Sequence, residues 1–186
     1  AGLLISVTLT GWLNQRAFRF DALAEHATRS EMKLLVRDDG RNFYMAGLAT
    51  AAAVLRARGN RLVFWDCYRP HDVQVAMFAA VPNPAWVAKP GQYARSHESG
   101  RSVDVTLARP CATGLCLVDM GTDFDDFSAR AHAYATEGVS TQAQANRGTL
   151  RDAMAAGGLT VYSGEWWHFD GPGAGVDRPI LDVPVN

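Results

Sequence analysis

Ser96-His97-Glu98-Ser99-Gly100-Arg101-Ser102-Val103-Asp104-Val105-Thr106-Leu107 combines a strand with two of the residue types that bind metals. Residues 103–107 read as the strand, and His97 sits on the loop that enters it. Gly100 can adopt backbone angles that a side chain resists, so the chain can fold back there and bring His97 toward Asp104. Working outward, residues 61–65 (RLVFW) form a short apolar run with β-branched and aromatic members, which reads as a buried strand. Residues 46–58 are Ala-rich with apolar positions at helical spacing, and Gly59 follows as a stop. Residues 70–80 resemble a helix opened by proline, whereas 82–91, with three prolines and a glycine, must be loop. A long amphipathic helix is expected over 140–156, capped by Ser140 and ended by Gly157-Gly158. Residues 159–162 and 167–169 are then closing strands. Helices and strands mix without regular βαβ alternation, which argues for an α+β fold: one domain over residues 1–186, with a mainly antiparallel central sheet flanked by helices.

Composition narrows the classes of function. The 186 residues can bury one substantial core, and 48% hydrophobic with 20% charged residues is ordinary for a soluble globular chain. The net charge is −1, with Lys and Arg scattered, so there is no basic footprint for nucleic acid and no polybasic arm for a membrane. The apolar run at residues 3–9 is interrupted by Ser and Thr and is too short to span a bilayer. Cys111 and Cys116 bracket an Ala-Thr-Gly-Leu turn, a spacing compatible with a disulfide across a hairpin or with two free thiols. A disulfide would indicate an exported protein. A start at Ala1 without Met fits a removed signal peptide or a chain trimmed at its start. The expectation is a bacterial protein, periplasmic or secreted in preference to cytoplasmic.

Five histidines occur, and each can be weighed. A histidine near a strand is ordinarily just hydrogen-bonded, and His26, His71 and His132 read that way. His97 and His168 differ because carboxylates accompany them: Asp104 follows the first, and Glu165 precedes the second by three residues. A catalytic zinc takes three imidazole, carboxylate or thiolate ligands and keeps a position open. His97, Asp104 and His168 could supply the three, with Glu165 facing the open position. Neither spacing is specific by itself, and the H-E-x-x-H helix signature is absent, since Ser99-Gly100-Arg101 follow His97-Glu98.

Four blocks in order add specificity: Trp65-Asp66-Cys67-Tyr68-Arg69-Pro70; Ser96-His97 through Asp104-Val105-Thr106-Leu107; Asp119-Met120-Gly121-Thr122-Asp123-Phe124-Asp125; and Gly164-Glu165-Trp166-Trp167-His168. Gly138-Val139-Ser140 and Ala145-Asn146-Arg147 lie between the last two. Together, over roughly residues 45–170, they resemble the D-alanyl-D-alanine metallopeptidases, whose fold is shared with the hedgehog signalling domain, and more narrowly the VanX-type D-alanyl-D-alanine dipeptidases. The resemblance implies one zinc ion per chain, held by His97, Asp104 and His168. It implies Glu165 as general acid and base, Arg69 as stabiliser of the oxyanion, Asp125 as partner of the substrate's ammonium group, and Ser96 as a neighbour of the substrate. Two departures stand out. Arg95 occupies the place of the first of two serines that precede the family's histidine, and His26-Ala27-Thr28 with Glu31-Met32 stands where the family shows Tyr-Ala-Thr followed by Asn-Phe.

These residue types suit peptide hydrolysis, which needs an activated water, a stabilised oxyanion and a proton for the leaving amine. A glutamate can carry that proton, a role worth about 10²–10⁴-fold. Arginine keeps its charge and presents a fixed fork of donors to an oxyanion. A carboxylate in the position of Asp125 favours a free amino terminus, because an unpaired buried ammonium is costly. Blander readings remain open: Arg69 as a salt-bridge partner, Asp125 as a turn cap in an acidic run, and Trp166 and Trp167 as one core residue and one pocket wall. The expected activity is zinc-dependent hydrolysis of the small dipeptide D-alanyl-D-alanine, for cell-wall precursor recycling or glycopeptide resistance. The alternatives are a D,D- or L,D-carboxypeptidase acting on peptidoglycan stem peptides, and a domain that keeps zinc only as structure.

Overall fold

The computed structural model describes residues 18–19, 41–112 and 114–180. The apolar run at 3–9 and the His26-Ala27-Thr28 segment lie outside them. Among the described residues six strands, β1 (Phe18–Arg19), β2 (Arg61–Asp66), β3 (Ser102–Cys111), β4 (Gly114–Leu117), β5 (Thr160–Val161) and β6 (His168–Asp170), form one sheet. Its order is β1-β2-β3-β6-β5, with β4 paired to the far end of β3, and every pairing is antiparallel. Among the described residues the α-helices are α1 (Arg41–Ala57), α2 (His71–Ala80) and α3 (Thr141–Ala156). The architecture is α+β with a mainly antiparallel sheet, as the sequence predicts.

The periodicity of β3 organises the molecule. Val103, Val105 and Leu107 alternate with Ser102, Asp104 and Thr106, and successive strand side chains point to opposite faces. The first set joins Leu62, Phe64 and Phe169 in the core, beneath Leu48, Ala51 and Leu55 of α1 and Leu150 and Met154 of α3. Burying each such aliphatic side chain contributes on the order of 1.5–3 kcal/mol, so this face holds the sheet to its helices. The second set belongs to the other face, where the polar residues collect.

Helix ends follow local chemistry. The Ser140 hydroxyl accepts the Ala143 backbone N–H at 3.1 Å, and Pro70 occupies the cap position before α2. Helix α1 begins five residues before the periodic apolar segment, and β3 runs four residues beyond Leu107 into a hairpin with β4. Across that hairpin Cys111 and Cys116 form a disulfide with Cα atoms 5.9 Å apart, which decides between the two readings of their spacing. No described helix is long and apolar enough to cross a membrane.

Candidate active site

Strand register assembles the site. Asp104 pairs with Asp66 of β2 on one side and with His168 of β6 on the other, while Ser102 pairs with Asp170. Directly paired residues in neighbouring strands share a face, so Asp104, His168, Ser102 and Asp170 gather on the side away from α1 and α3. His97 arrives from a 3-10 turn, Ser96–Ser99, that ends at Gly100 with φ +64°. That left-handed turn, nearly free for glycine, sends the chain back from His97 into β3.

Three ligand atoms converge. His97 Nε2 lies 3.0 Å from His168 Nδ1 and 3.2 Å from Asp104 Oδ1, and His168 Nδ1 lies 3.0 Å from the same oxygen. Their outer nitrogens are engaged elsewhere: His97 Nδ1 donates to the Cys67 carbonyl oxygen at 2.8 Å, and His168 Nε2 donates to Asp170 Oδ1 at 3.1 Å. Without a metal, protons shared with Asp104 hold the inner nitrogens together. Once those protons leave and the outer nitrogens keep theirs, the inner atoms are all acceptors, a donor set that suits a cation at its centre. Tetrahedral coordination with bonds of about 2.0–2.1 Å separates ligand atoms by roughly 3.3 Å, close to the distances found here. Among the described residues these three form the group able to hold a metal ion, and His71 and His132 lie outside it. His71 instead pairs with Glu98 at 2.6 Å.

Electrostatics mark the same locus. Burial opposes ionisation of Asp104, but the His97 charge and hydrogen bonds from His168 and His97 outweigh it and hold the carboxyl well below the usual range. Burial would also lower the pKa of His168; hydrogen bonds to Asp104 and Asp170 overcome this and raise it to about 10. Glu165, with Oε2 at 3.9 Å from His168 Nδ1, is pushed up to about 7 by burial and by the charge of Asp104. Asp125 is likewise raised to about 7, by burial and then by the charges of Asp104 and Glu165. It adopts φ +59°, unusual for a residue with a side chain, and this is the kind of local strain found at functional sites.

Arg69 is a buried salt-bridge partner beside the site rather than a surface one. Its Nε and Nη2 donate to Asp66 Oδ2 at 2.9 and 2.6 Å, and its Nη1 donates to Gln74 Oε1 at 2.7 Å. Burial disfavours its charge, yet Asp66, Asp104 and Asp125 together raise its pKa above the ordinary value. Ser96 lies on the side of the His168 ring turned away from the ligand cluster, 3.4 Å from Nε2, with its hydroxyl donated to Ser102. Trp166 and Trp167 are both buried in the core; Trp166 also borders a cavity of about 490 Å³ that includes Trp65, Thr106, Met120, Phe124 and Asp126. Thr106 is two residues beyond Asp104 on the same strand face, so the cavity runs along the sheet beside the cluster.

Asp66, Gln74, Ser102 and Asp170 are constituents that motif reading does not single out. Asp66 stands inside the quoted block around Arg69, and Asp170 stands two residues after His168, on the same face of a strand. For Asp66, Ser102 and Asp170 the signal that could have found them is strand register, which spacing along the chain does not reveal; Gln74 lies on α2 and comes to Arg69 across a turn.

A sheet face that presents two imidazoles and a carboxylate as ligands, with a raised glutamate and a buried arginine alongside, is the site of a metallopeptidase. The chain belongs to the D-ala-D-ala dipeptidase family, whose sequence model matches residues 25–186. A D-alanyl-D-alanine dipeptidase of Escherichia coli is 32% identical over 161 residues, covering 87% of this chain and 78% of that protein. One from Enterococcus faecium is 33% identical over 156 residues, covering 75% and 76%, respectively. The family match begins well before residue 45, so the likeness reaches further toward the N-terminus than the four motif blocks indicate.

Proposed function

We propose that this chain is a zinc-dependent dipeptidase that hydrolyses D-alanyl-D-alanine to two molecules of D-alanine, with one zinc ion on His97, Asp104 and His168. The convergence of three buried acceptor atoms within bonding reach of one cation carries the reading. Zinc held there supplies Lewis acidity to the scissile carbonyl and to the attacking water.

The remaining steps fall to the protein. Glu165, whose carboxyl is pushed up to about 7 in the metal-free protein by burial and by Asp104, takes a proton from the attacking water and returns it to the departing nitrogen. Arg69, fixed by Asp66 and Gln74, brings a permanent positive charge to the oxygen that becomes anionic. Asp125 faces a site whose other carboxylates discourage its ionisation, and a substrate ammonium beside it reverses that balance. Substrates with a free amino terminus are favoured for this reason. Ser96, expected beside the substrate, instead turns its hydroxyl to Ser102 behind His168, and it serves the site through the turn it shares with His97. The whole of residues 1–186 forms one catalytic domain, exported from a bacterial cytoplasm; the Cys111–Cys116 disulfide supports that compartment. The activity serves cell-wall precursor recycling or glycopeptide resistance.

Release of alanine from the four stereoisomers of Ala-Ala, and from N-acetyl-D-Ala-D-Ala, tests the reading. Turnover confined to unblocked D-Ala-D-Ala is the expected result. Preference for the acetylated compound would identify a carboxypeptidase instead, and absence of hydrolysis from the zinc-loaded protein would reject the enzyme.

A further inference from the structure

The two metal-facing imidazoles are oriented by different means. His97 is tied through Nδ1 to a main-chain carbonyl, that of Cys67, and its own main-chain carbonyl accepts the Arg69 N–H at 3.1 Å. His168 is tied through Nε2 to a side chain, the carboxylate of Asp170. That carboxylate is itself held: Ser102 Oγ donates to Asp170 Oδ1 at 2.5 Å, and Ser96 Oγ donates to Ser102 Oγ at 2.8 Å. The strand register that sets Asp104 opposite His168 also sets Ser102 opposite Asp170, two rungs along the same ladder, so the ligand pair and the supporting pair share one face with the Val103–Phe169 rung between them turned to the other. Ser96, which donates to Ser102, takes φ +47°, outside the range favoured by residues with side chains.

We propose that Asp170, held in place by Ser102 and Ser96, is a positioning residue that fixes the His168 ring and its tautomer and thereby sets the affinity of the metal site. With Nε2 carrying the hydrogen toward Asp170, the Nδ1 lone pair is committed to the cluster of Asp104 and His97. A carboxylate acceptor also makes the imidazole a stronger donor to a cation than a neutral acceptor would. The inference rests on the zinc reading of the His97–Asp104–His168 cluster.

A purely structural role for Asp170 predicts a different outcome. Its side chain is 38% exposed against 11% for His168, so shortening it opens no core cavity and removes little packing. Zinc affinity of the full chain is to be measured at fixed pH by competition with a chromophoric chelator, for the parent and for Asp170→Ala, Asp170→Asn and Ser102→Ala. Visible spectra of the cobalt-substituted proteins are to be recorded in parallel. Asp170→Ala is expected to weaken zinc about 10–100-fold and to shift the cobalt bands. Asp170→Asn, whose amide oxygen can still accept from Nε2–H, recovers most of the loss, and Ser102→Ala shows a smaller weakening. An Asp170→Ala protein within twofold of the parent, with an unchanged cobalt spectrum, overturns the proposal. Should Asp170→Ala fail to fold, Ser102→Ala decides on the same twofold criterion. A parent protein that takes up no zinc rejects the metal site itself, an outcome distinct from equal zinc affinity in parent and variants.

Discussion

Asp104, buried, and Glu165, partly buried, are carboxylates beside the same imidazole, yet their environments move them in opposite directions. Asp104 accepts hydrogen bonds from both histidines and is held ionised, the state a ligand needs. Glu165 meets His168 only at 3.9 Å, and burial together with the charge of Asp104 raises it to about 7, the state a proton carrier needs. Replacing Glu165 with Gln is therefore expected to lower kcat by about 10²–10⁴-fold while zinc content, read by elemental analysis, stays at the parental value. Activity near that of the parent would remove Glu165 from the proton path. Asp125→Asn is expected to raise KM for D-Ala-D-Ala by more than tenfold with a smaller change in kcat, because the amide cannot neutralise an ammonium. An unaltered KM would assign Asp125 to its turn alone. At this scale the sequence is informative where carboxylate and histidine stand close in the chain, as in Glu165-Trp166-Trp167-His168. It is silent on Asp170 and Gln74, whose importance comes from what lies across a strand or beyond a loop.

At the scale of elements, β3 and α3 divide the work. Strand β3 was legible from its apolar and β-branched residues, but its pairing was not, because register depends on partners distant in the chain. The 3-10 turn at Ser96–Ser99 was also hidden within an expected loop, although Gly100 announced the reversal that follows it. Helix α3 has a role besides packing. Arg147 donates through Nε to the Met120 carbonyl at 2.7 Å and through Nη1 to the Arg130 and His132 carbonyls at 2.9 and 3.1 Å. Asn146 adds a hydrogen bond to the Asp119 carbonyl at 2.7 Å. Two adjacent helical side chains thus clamp both ends of the loop that carries Asp125. Replacing Arg147 with Met should cost about 3 kcal/mol in urea unfolding, since several hydrogen bonds from a charged donor are lost together, and should raise KM as the Asp125 loop loosens. A variant with parental stability and KM would show that the loop holds its shape without the clamp.

For the whole molecule, protons and a metal ion compete for one cluster. His168 at about 10 lies above its unfolded value of about 6.5, and Glu165 and Asp125 at about 7 lie above theirs, near 4. In each case the metal-free folded state binds more protons than the unfolded one. Stability therefore falls as pH rises, from about 4 to 7 through the carboxyls and from about 6.5 to 10 through the histidine. Metal binding must displace a proton from His168, so zinc affinity should rise with pH over the same upper range. Thermal unfolding between pH 5 and 9 should show the metal-free Tm declining while the zinc-loaded Tm holds, with the gap between them widening. Parallel curves would mean that zinc binds elsewhere. All of this depends on His97, Asp104 and His168 holding one divalent ion, and its stoichiometry is the most direct test. After chelation and dialysis against zinc, the parent chain should retain one zinc per polypeptide, and the His97→Ala/His168→Ala double variant should retain none. A parent without bound zinc, or a double variant that still carries one equivalent, would contradict the metal centre on which the catalytic assignment stands.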